Sequence, residues 1–286
     1  MPPHRVALIT DSTCDIPHEL LEQYEIQVVP AYVIWGSEVL RDHVDLAPEA
    51  FYHRLAHEPV YPKTSQPTPQ DLVNAYKAAQ ARGAEEIVII TVSSAMSGTF
   101  RAAQQTDELV SIPVHVVDAK GPTMSVGWQV LAAARARQAG GDAQAMVQAA
   151  DGVRKRLQQF VYLDTLEYLY KGGRIGSAAR AVSALLNIKL IVHINHETGL
   201  VEEEERTRTR SRSVESLYRG FFRHLDQHRP MRIAVLHGNC PQDAAALAER
   251  VRHEFAPAEL LVSITGPVLG VHTGPGALAL CGYNEG

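Results

Sequence analysis

Short apolar runs alternate with helical patterns through the first half of this chain, and this alternation constrains the fold most. Residues 87–92 are apolar at nearly every position, which is typical of a strand covered on both faces. The predicted strands are residues 6–9, 26–34, 87–92 and 114–117. The first predicted helix starts at Pro17, with Asp15 as its N-cap. Further helices are predicted over residues 48–56, 69–82 and 126–139, and another begins at Gly98. This order predicts an α/β/α sandwich with a parallel sheet.

The second half predicts a different sheet. Apolar residues 188–194 and residues 200–206 flank a turn in which Gly199 supplies a positive φ, so they form a hairpin. The other predicted elements are strands 160–163, 232–236, 260–264 and 277–283 and helices 213–226 and 241–255. A hairpin joined to a β-α-β segment predicts an α/β domain with a mixed sheet. We therefore predict an N-terminal domain, residues 1–158, and a C-terminal domain, residues 159–286.

Length, composition and charge narrow the class of protein. A chain of 286 residues exceeds the usual size of a single core, and 45% hydrophobic residues is typical of a globular protein. The net charge of -5 argues against a nucleic-acid partner. Three cysteines without paired spacing suggest neither a disulfide framework nor a metal site. No leader-like or membrane-length apolar run occurs, so we expect a cytoplasmic protein that does not span a membrane.

A glycine-rich segment near the C-terminus places two polar side chains together. Residues 270–276 contain three glycines and one proline around His272 and Thr273. Glycine and proline restrict the backbone to conformations that few other residues follow. We expect a fixed turn that presents an imidazole and a hydroxyl to a ligand site.

A second polar cluster follows the most apolar predicted strand. Ser97, Gly98 and Thr99 lie where that strand ends and the next helix begins. Ligands of open α/β sheets bind at this edge, and the amides of a helix N-terminus favour an anion. A simple serine cap is the alternative interpretation.

Two further clusters carry candidate ligand groups. Thr64 and Ser65 precede the helix start at Thr68-Pro69, which capping alone would explain. Arg174 follows a double glycine that ends a short predicted helix. Its guanidinium suits either a carboxylate or phosphate ligand or a structural ion pair.

Taken together, these clusters resemble the DegV family of bacterial fatty-acid-binding proteins. The matching segments occur in the family's order and span nearly the whole chain: residues 11–15, 64–67, 93–100, 166–175 and 272–276. The resemblance implies a two-domain protein that holds one long-chain fatty acid in a tunnel between its domains. By this resemblance the fatty-acid carboxylate contacts the Thr64 and Ser97 hydroxyls, and the nearby residues are Ser65, Gly98, Arg174, His272 and Thr273.

The resemblance also implies a partner and a pathway. Some members of the family present the bound acid to a separate ATP-dependent fatty acid kinase, whose acyl phosphate product enters phospholipid synthesis. Such a protein is a lipid-binding substrate carrier with no catalytic residue and no cofactor of its own.

Two enzymatic alternatives remain open, and a third alternative is a structural or regulatory protein. Ser97 as nucleophile and His272 as base would make a serine hydrolase, but Ala95 and Thr99 replace the glycines of a Gly-x-Ser-x-Gly elbow. A phosphotransferase acting on a small hydroxyketone is the second alternative, although the chain has no Walker-type phosphate loop.

Overall fold

The computed structural model describes residues 5–175 and 189–286, and their contacts group them into two compact units. Of the described residues, the first unit contains 5–32, 65–155 and 196–199. The second unit contains 33–64, 156–175, 189–195 and 200–286.

The units differ in make-up from the two predicted domains, residues 1–158 and 159–286. Each predicted domain is one continuous segment, whereas each unit is assembled from several segments. Residues 33–64, predicted for the N-terminal domain, group with the second unit. Within that unit the Phe51 ring lies against Gly270, so this segment has packing partners that are distant in sequence.

The elements are numbered in chain order. The strands are β1 (Val6–Asp11), β2 (Ile26–Val29), β3 (Tyr32–Trp35), β4 (Glu38–Arg41), β5 (Lys63–Ser65), β6 (Glu86–Thr91), β7 (Val114–Asp118), β8 (Gln158–Leu163), β9 (Lys189–Asn195), β10 (Leu200–Thr207), β11 (Met231–His237), β12 (Glu259–Ile264) and β13 (Leu278–Asn284). The helices are α1 (His18–Gln23), α2 (Pro48–His57), α3 (Pro69–Ala81), α4 (Thr99–Thr106), α5 (Met124–Gln138), α6 (Ala143–Arg154), α7 (Glu167–Lys171), α8 (Arg210–Arg223), α9 (Pro241–Phe255) and α10 (Pro267–Thr273).

The first unit is built on a parallel sheet of order β2-β1-β6-β7. Ile87, Val88, Ile89 and Ile90 of β6 are fully buried, as expected for a central strand covered on both faces. α3 begins with a capping box, in which the Thr68 side chain accepts from the Asp71 amide and the Asp71 carboxylate accepts from the Thr68 amide. The predicted parallel α/β sandwich is confirmed.

The second unit is built on a mixed sheet of order β10-β9-β8-β13-β11-β12. β11 and β12 pair in parallel, and the other neighbouring pairs are antiparallel. Its core packs the face of this sheet against α8 and α9, with Phe160, Leu217, Phe221, Ile233 and Leu280 almost fully buried. The predicted mixed-sheet α/β architecture is confirmed. The hairpin turn holds Gly199 at φ 76°, and residue 188, the predicted start of its first strand, lies outside the described residues.

The predicted strand over residues 26–34 is wrong, because the segment forms two strands in two sheets. β2 joins the parallel sheet, while β3 lies in a separate three-stranded sheet of order β4-β3-β5. Pro30 stands between them and has no amide hydrogen for a strand ladder, so the chain leaves one sheet before entering the next.

The predicted N-cap at Asp15 is also wrong. Pro17 occupies the N-cap position of α1 without a side-chain cap, and Asp15 has a left-handed backbone with φ 48°. The segment instead forms a single 3₁₀ turn over Ser12–Cys14, which Asp11 caps by accepting from the Thr13 amide at 3.0 Å.

In residues 5–175 and 189–286, no helix combines the length and the apolar character needed to cross a bilayer.

Candidate functional site

His272 and Thr273 lie in a helix, and the predicted fixed turn over residues 270–276 is therefore only partly correct. α10 starts with Pro267 at its first position and ends at Thr273, and the turn begins at Gly274 with φ 71°. Proline at the start and glycine at the end are the expected helix boundaries. Gly270 is helical, and a Cβ built there would lie 2.4 Å from the Phe51 ring, so this glycine permits close packing instead of a turn.

Thr64 and His272 form a hydrogen-bonded pair in the second unit. His272 Nε2 lies 3.0 Å from Thr64 Oγ1, although the two residues are 208 positions apart in sequence. Thr64 lies in the short strand β5 and His272 in the last turn of α10. Both side chains are partly buried. The pairing brings together two polar groups that the sequence presented only as separate motifs.

The other ring nitrogen of His272 lies against the end of α7. Its Nδ1 is buried without a hydrogen-bond partner. A Cβ built on Gly172, the residue that follows α7, would lie 2.1 Å from Nδ1. The first glycine of the double-glycine motif is thus the surface on which the imidazole rests.

The surroundings of His272 favour its neutral form. Burial, and secondarily the positive charge of Arg174, lower the pKa of His272 from its ordinary 6.5 to about 4. At neutral pH the ring therefore carries a single proton. An unpaired N–H at Nδ1 would be a buried donor without an acceptor, which costs about 1–3 kcal/mol. In the Nε2–H tautomer Nδ1 is a buried acceptor instead, and Nε2 can donate to Thr64 Oγ1.

Arg174 and Thr273 bond to backbone atoms of the second unit. Arg174 is exposed, and its Nη1 donates to the carbonyl of Gly172 at 2.9 Å. Thr273 Oγ1 donates to the carbonyl of Leu269 at 3.2 Å, one turn earlier in α10. Arg174 lies close enough to influence the His272 pKa electrostatically, while the Thr273 hydroxyl proton is used within its own helix.

Tyr61 supports this arrangement and was missed by the sequence analysis. Its hydroxyl donates to the carbonyl of Val271 at 2.5 Å and lies 3.3 Å from that of Tyr168. Burial, and to a lesser degree Tyr168 and Glu167, raise the pKa of Tyr61, so the phenol stays protonated. No sequence signal identifies this residue, because it stands between Val60 and Pro62 and its partners are over 100 residues away.

Ser97 and Gly98 lie in the first unit, at the start of α4. Ser97 Oγ is 2.9 Å from Thr99 Oγ1 and 3.3 Å from the Thr99 amide nitrogen. Gly98 occupies the N-cap position. A Cβ built on Gly98 would lie 1.9 Å from the side-chain oxygen of Gln66, so that amide lies directly over the glycine. Ser65 is exposed, and its hydroxyl donates to the carbonyl of Gln66 at 3.3 Å.

The 11–15 motif braces the sheet of the first unit. Asp11 is fully buried, and its carboxylate accepts from the amide and hydroxyl of Thr13 and from the Val92 amide. Burial raises the pKa of Asp11 despite these hydrogen bonds. Because Val92 directly follows β6, Asp11 ties the ends of two neighbouring strands together.

The predicted site residues divide between the two units. Thr64, Arg174, His272 and Thr273 belong to the second unit, and Ser65, Ser97 and Gly98 to the first. Within the second unit Thr64 is hydrogen-bonded to His272, and the charge of Arg174 contributes to the lowered pKa of that ring. Within the first unit it joins Ser97 to Thr99.

Comparison with known proteins places the chain in one family. The family model described as "Uncharacterised protein, DegV family" matches residues 5–285. Protein DegV of Bacillus subtilis is 30% identical over 278 residues, which cover 96% of this chain and 98% of that protein. A DegV domain-containing protein of Streptomyces coelicolor is 35% identical over 96% of this chain and 97% of its own length.

Solved structures agree with this placement. A fatty-acid-binding DegV family protein of Thermus thermophilus matches with a TM-score of 0.91 and 30% identity, covering 98% of this chain and 100% of that one. DegV of Bacillus subtilis, a fatty acid binding protein, also matches with a TM-score of 0.91 and 30% identity, covering 99% and 100%. The parallel and mixed sheets define a two-part α/β protein, and the chain belongs to the DegV family.

Proposed function

We propose that this chain binds one long-chain fatty acid and that the Thr64–His272 pair holds its carboxylate. The observation that carries the proposal is this pair, a hydroxyl hydrogen-bonded to a neutral imidazole, in a chain 30% identical to two fatty-acid-binding proteins. The carboxylate is the part of the ligand that needs polar partners, and the acyl chain supplies apolar surface.

The tautomer of His272 determines what Thr64 offers to a ligand. When Nε2–H donates to Thr64 Oγ1, the single hydroxyl proton of Thr64 is left to donate elsewhere. A hydroxyl–carboxylate hydrogen bond is charge-assisted and stronger than a neutral one. A neutral imidazole thus turns Thr64 into a directed donor for an anion.

The acyl chain accounts for the affinity in this proposal. Burying one methylene contributes about 0.8 kcal/mol, so about 14 methylenes contribute on the order of 11 kcal/mol before ordering costs. The carboxylate contacts then set the orientation of the ligand, because burying an unpaired carboxylate is costly.

The remaining predicted contacts are also proposed on the family resemblance. Ser97 and Gly98 would supply hydroxyl and backbone donors, and Ser65, Arg174 and Thr273 would lie near the head group. Ser97 bonds to Thr99 and Thr273 to Leu269, so a ligand would compete with those bonds.

We further propose that the bound acid is the substrate of a separate ATP-dependent fatty acid kinase in the cytoplasm. A carboxylate oxygen would attack the γ-phosphorus of ATP, giving acyl phosphate and releasing ADP. In this proposal the chain supplies the positioned carboxylate and no catalytic group, and the product enters phospholipid synthesis.

The hydrogen bonds of the candidate residues favour binding over hydrolysis. A serine hydrolase would use His272 as the base for Ser97, but His272 Nε2 is bonded to Thr64 and Ser97 Oγ to Thr99. A fluorophosphonate probe that labels Ser97 would support the hydrolase instead.

Titration of delipidated protein with palmitate and with methyl palmitate tests the proposal. The two ligands share an acyl chain and differ in the carboxylate, so we expect the ester to bind at least about tenfold more weakly. Palmitate-loaded protein given the cognate kinase and ATP should yield acyl phosphate. Equal binding of acid and ester would contradict the proposed head-group site.

A further inference from the structure

Two close contacts fix α10 against α7 in the second unit. A Cβ on Gly172 would lie 2.1 Å from His272 Nδ1, and one on Gly274 would lie 2.2 Å from the Tyr168 ring. The glycine that follows α7 thus contacts the His272 ring of α10, and the glycine that follows α10 contacts the Tyr168 ring of α7. The Tyr61 hydroxyl donates to the Val271 carbonyl and lies close to the Tyr168 carbonyl. These contacts tie the segment before β5 to both helices.

The backbone at Gly172 does not itself require glycine. Its φ of -77° and ψ of -9° are right-handed helical values that alanine adopts without strain. Gly173 is different, because its φ of 68° is left-handed. The close approach of His272 is therefore the steric feature that sets Gly172 apart from its neighbour.

We propose that Gly172 is the positioning residue of the Thr64–His272 pair. The missing Cβ lets the imidazole rest with Nδ1 against the chain end of α7, where that nitrogen has no partner. Nδ1 stays unprotonated, Nε2 carries the proton, and Nε2–H faces Thr64. This inference rests on the proposed function, since it explains how the carboxylate donor is oriented.

A Cβ at position 172 would disturb this arrangement through His272 while leaving the Thr64 side chain itself unchanged. The ring would have to rotate away from Gly172, which moves Nε2 off the Thr64 hydroxyl. Without the hydrogen bond from Nε2, the Thr64 hydroxyl proton would no longer be directed toward the ligand. We expect Gly172→Ala to weaken binding only as long as residue 272 carries the imidazole.

The first test measures the tautomer directly. ¹⁵N NMR of histidine-labelled parent protein, with the His272 signals assigned by their loss in His272→Ala, should show Nδ1 unprotonated and Nε2 protonated. A parent spectrum with the proton on Nδ1 would overturn the inference. This measurement needs no variant at position 172 to fold.

The second test is a double-mutant cycle on delipidated protein with palmitate as the probe. We expect Gly172→Ala to lower affinity about tenfold and the double variant with His272→Ala to bind within about twofold of His272→Ala alone. Gly152→Ala is the matched control, because it lies within α6 and a Cβ there meets no described atom within 4 Å. It should keep the parent affinity.

The outcomes separate the two proposals. Parent-like affinity of Gly172→Ala, or an equal loss with and without the imidazole, would contradict the positioning role. Parent-like affinity of His272→Ala would contradict the proposed carboxylate site, whereas a parent spectrum with the proton on Nδ1 would contradict only the role of Gly172. A Gly172→Ala protein that folds only together with His272→Ala would support the steric contact.

Discussion

At the residue scale, Thr64 is the group whose chemistry depends most on its neighbour. A threonine hydroxyl can donate or accept, and in the proposed tautomer Nε2 of His272, 3.0 Å away, donates to Thr64 Oγ1 and leaves the hydroxyl proton for the proposed ligand. Without a hydrogen bond from His272, the Thr64 hydroxyl proton would have no fixed direction. The pair therefore makes predictions about both of its members.

Replacing Thr64 separates its hydroxyl from its shape. We expect Thr64→Val to weaken palmitate binding by about 1.5–3 kcal/mol, because it removes a hydrogen bond to a charged group. Thr64→Ser keeps the hydroxyl and should stay within about 1 kcal/mol of the parent. Calorimetric titration of delipidated protein checks both values. Parent-like affinity of the valine variant would show that the hydroxyl does not bind the carboxylate.

The low pKa of His272 makes part of the folding stability dependent on pH. The folded-state pKa of about 4 lies below the ordinary 6.5, so the unfolded state binds the proton more readily. The contribution is complete above pH 6.5 and is lost as pH falls toward 4, on the order of 3 kcal/mol at most. Between pH 7 and pH 4.5, the free energy of unfolding measured in urea should fall less for His272→Gln than for the parent. An equal decline in parent and variant would contradict the assigned pKa.

At the scale of elements, α10 shows tertiary packing overriding local preference. Its sequence includes Gly270, Val271 and Thr273, all weaker helix formers than alanine. Proline at its start and glycine after its end set its limits. Gly270 lets the helix approach the Phe51 ring of α2 closely, and this packing stabilises it.

Two glycine-to-alanine changes, one in α10 and one for comparison in α6, should change the free energy of unfolding in opposite directions. Gly270→Ala should lower the free energy of unfolding by about 1–3 kcal/mol, because its Cβ would lie 2.4 Å from Phe51 and 3.0 Å from the Tyr52 hydroxyl. Gly152→Ala in α6 should raise that free energy by about 0.5–1 kcal/mol, since alanine is the better helix former and its Cβ meets no described atom within 4 Å. Thermal melts of both variants decide the signs, and a stabilised Gly270→Ala would contradict the close packing.

At the scale of the whole molecule, the two sheets were predictable and residues 33–64 were not. Buried runs such as residues 87–92 identify strands by composition alone, so both sheet types follow from the sequence. Residues 33–64 have short strands around turns, and their grouping depends on partners such as Gly270. No local pattern carries that information.

The two residues of the Thr64–His272 pair could be picked out as separate candidates from the sequence, but their contact could not. Thr64 and His272 were both identified by polar side chains in restricted backbone segments, yet their pairing joins residues 208 positions apart. Gly172 and Tyr61 act through spatial neighbours, His272 in one case and Val271 in the other. Such roles become visible only when distant segments are seen side by side.

Native mass spectrometry of protein freshly purified from bacteria tests the central claim, fatty acid binding, most directly. The protein should never meet detergent or organic solvent before measurement. We predict one added mass per chain that matches a long-chain fatty acid, recovered as the free acid on lipid extraction. A chain that carries no fatty acid under these conditions, and takes up none when palmitate is supplied, would contradict the proposed function.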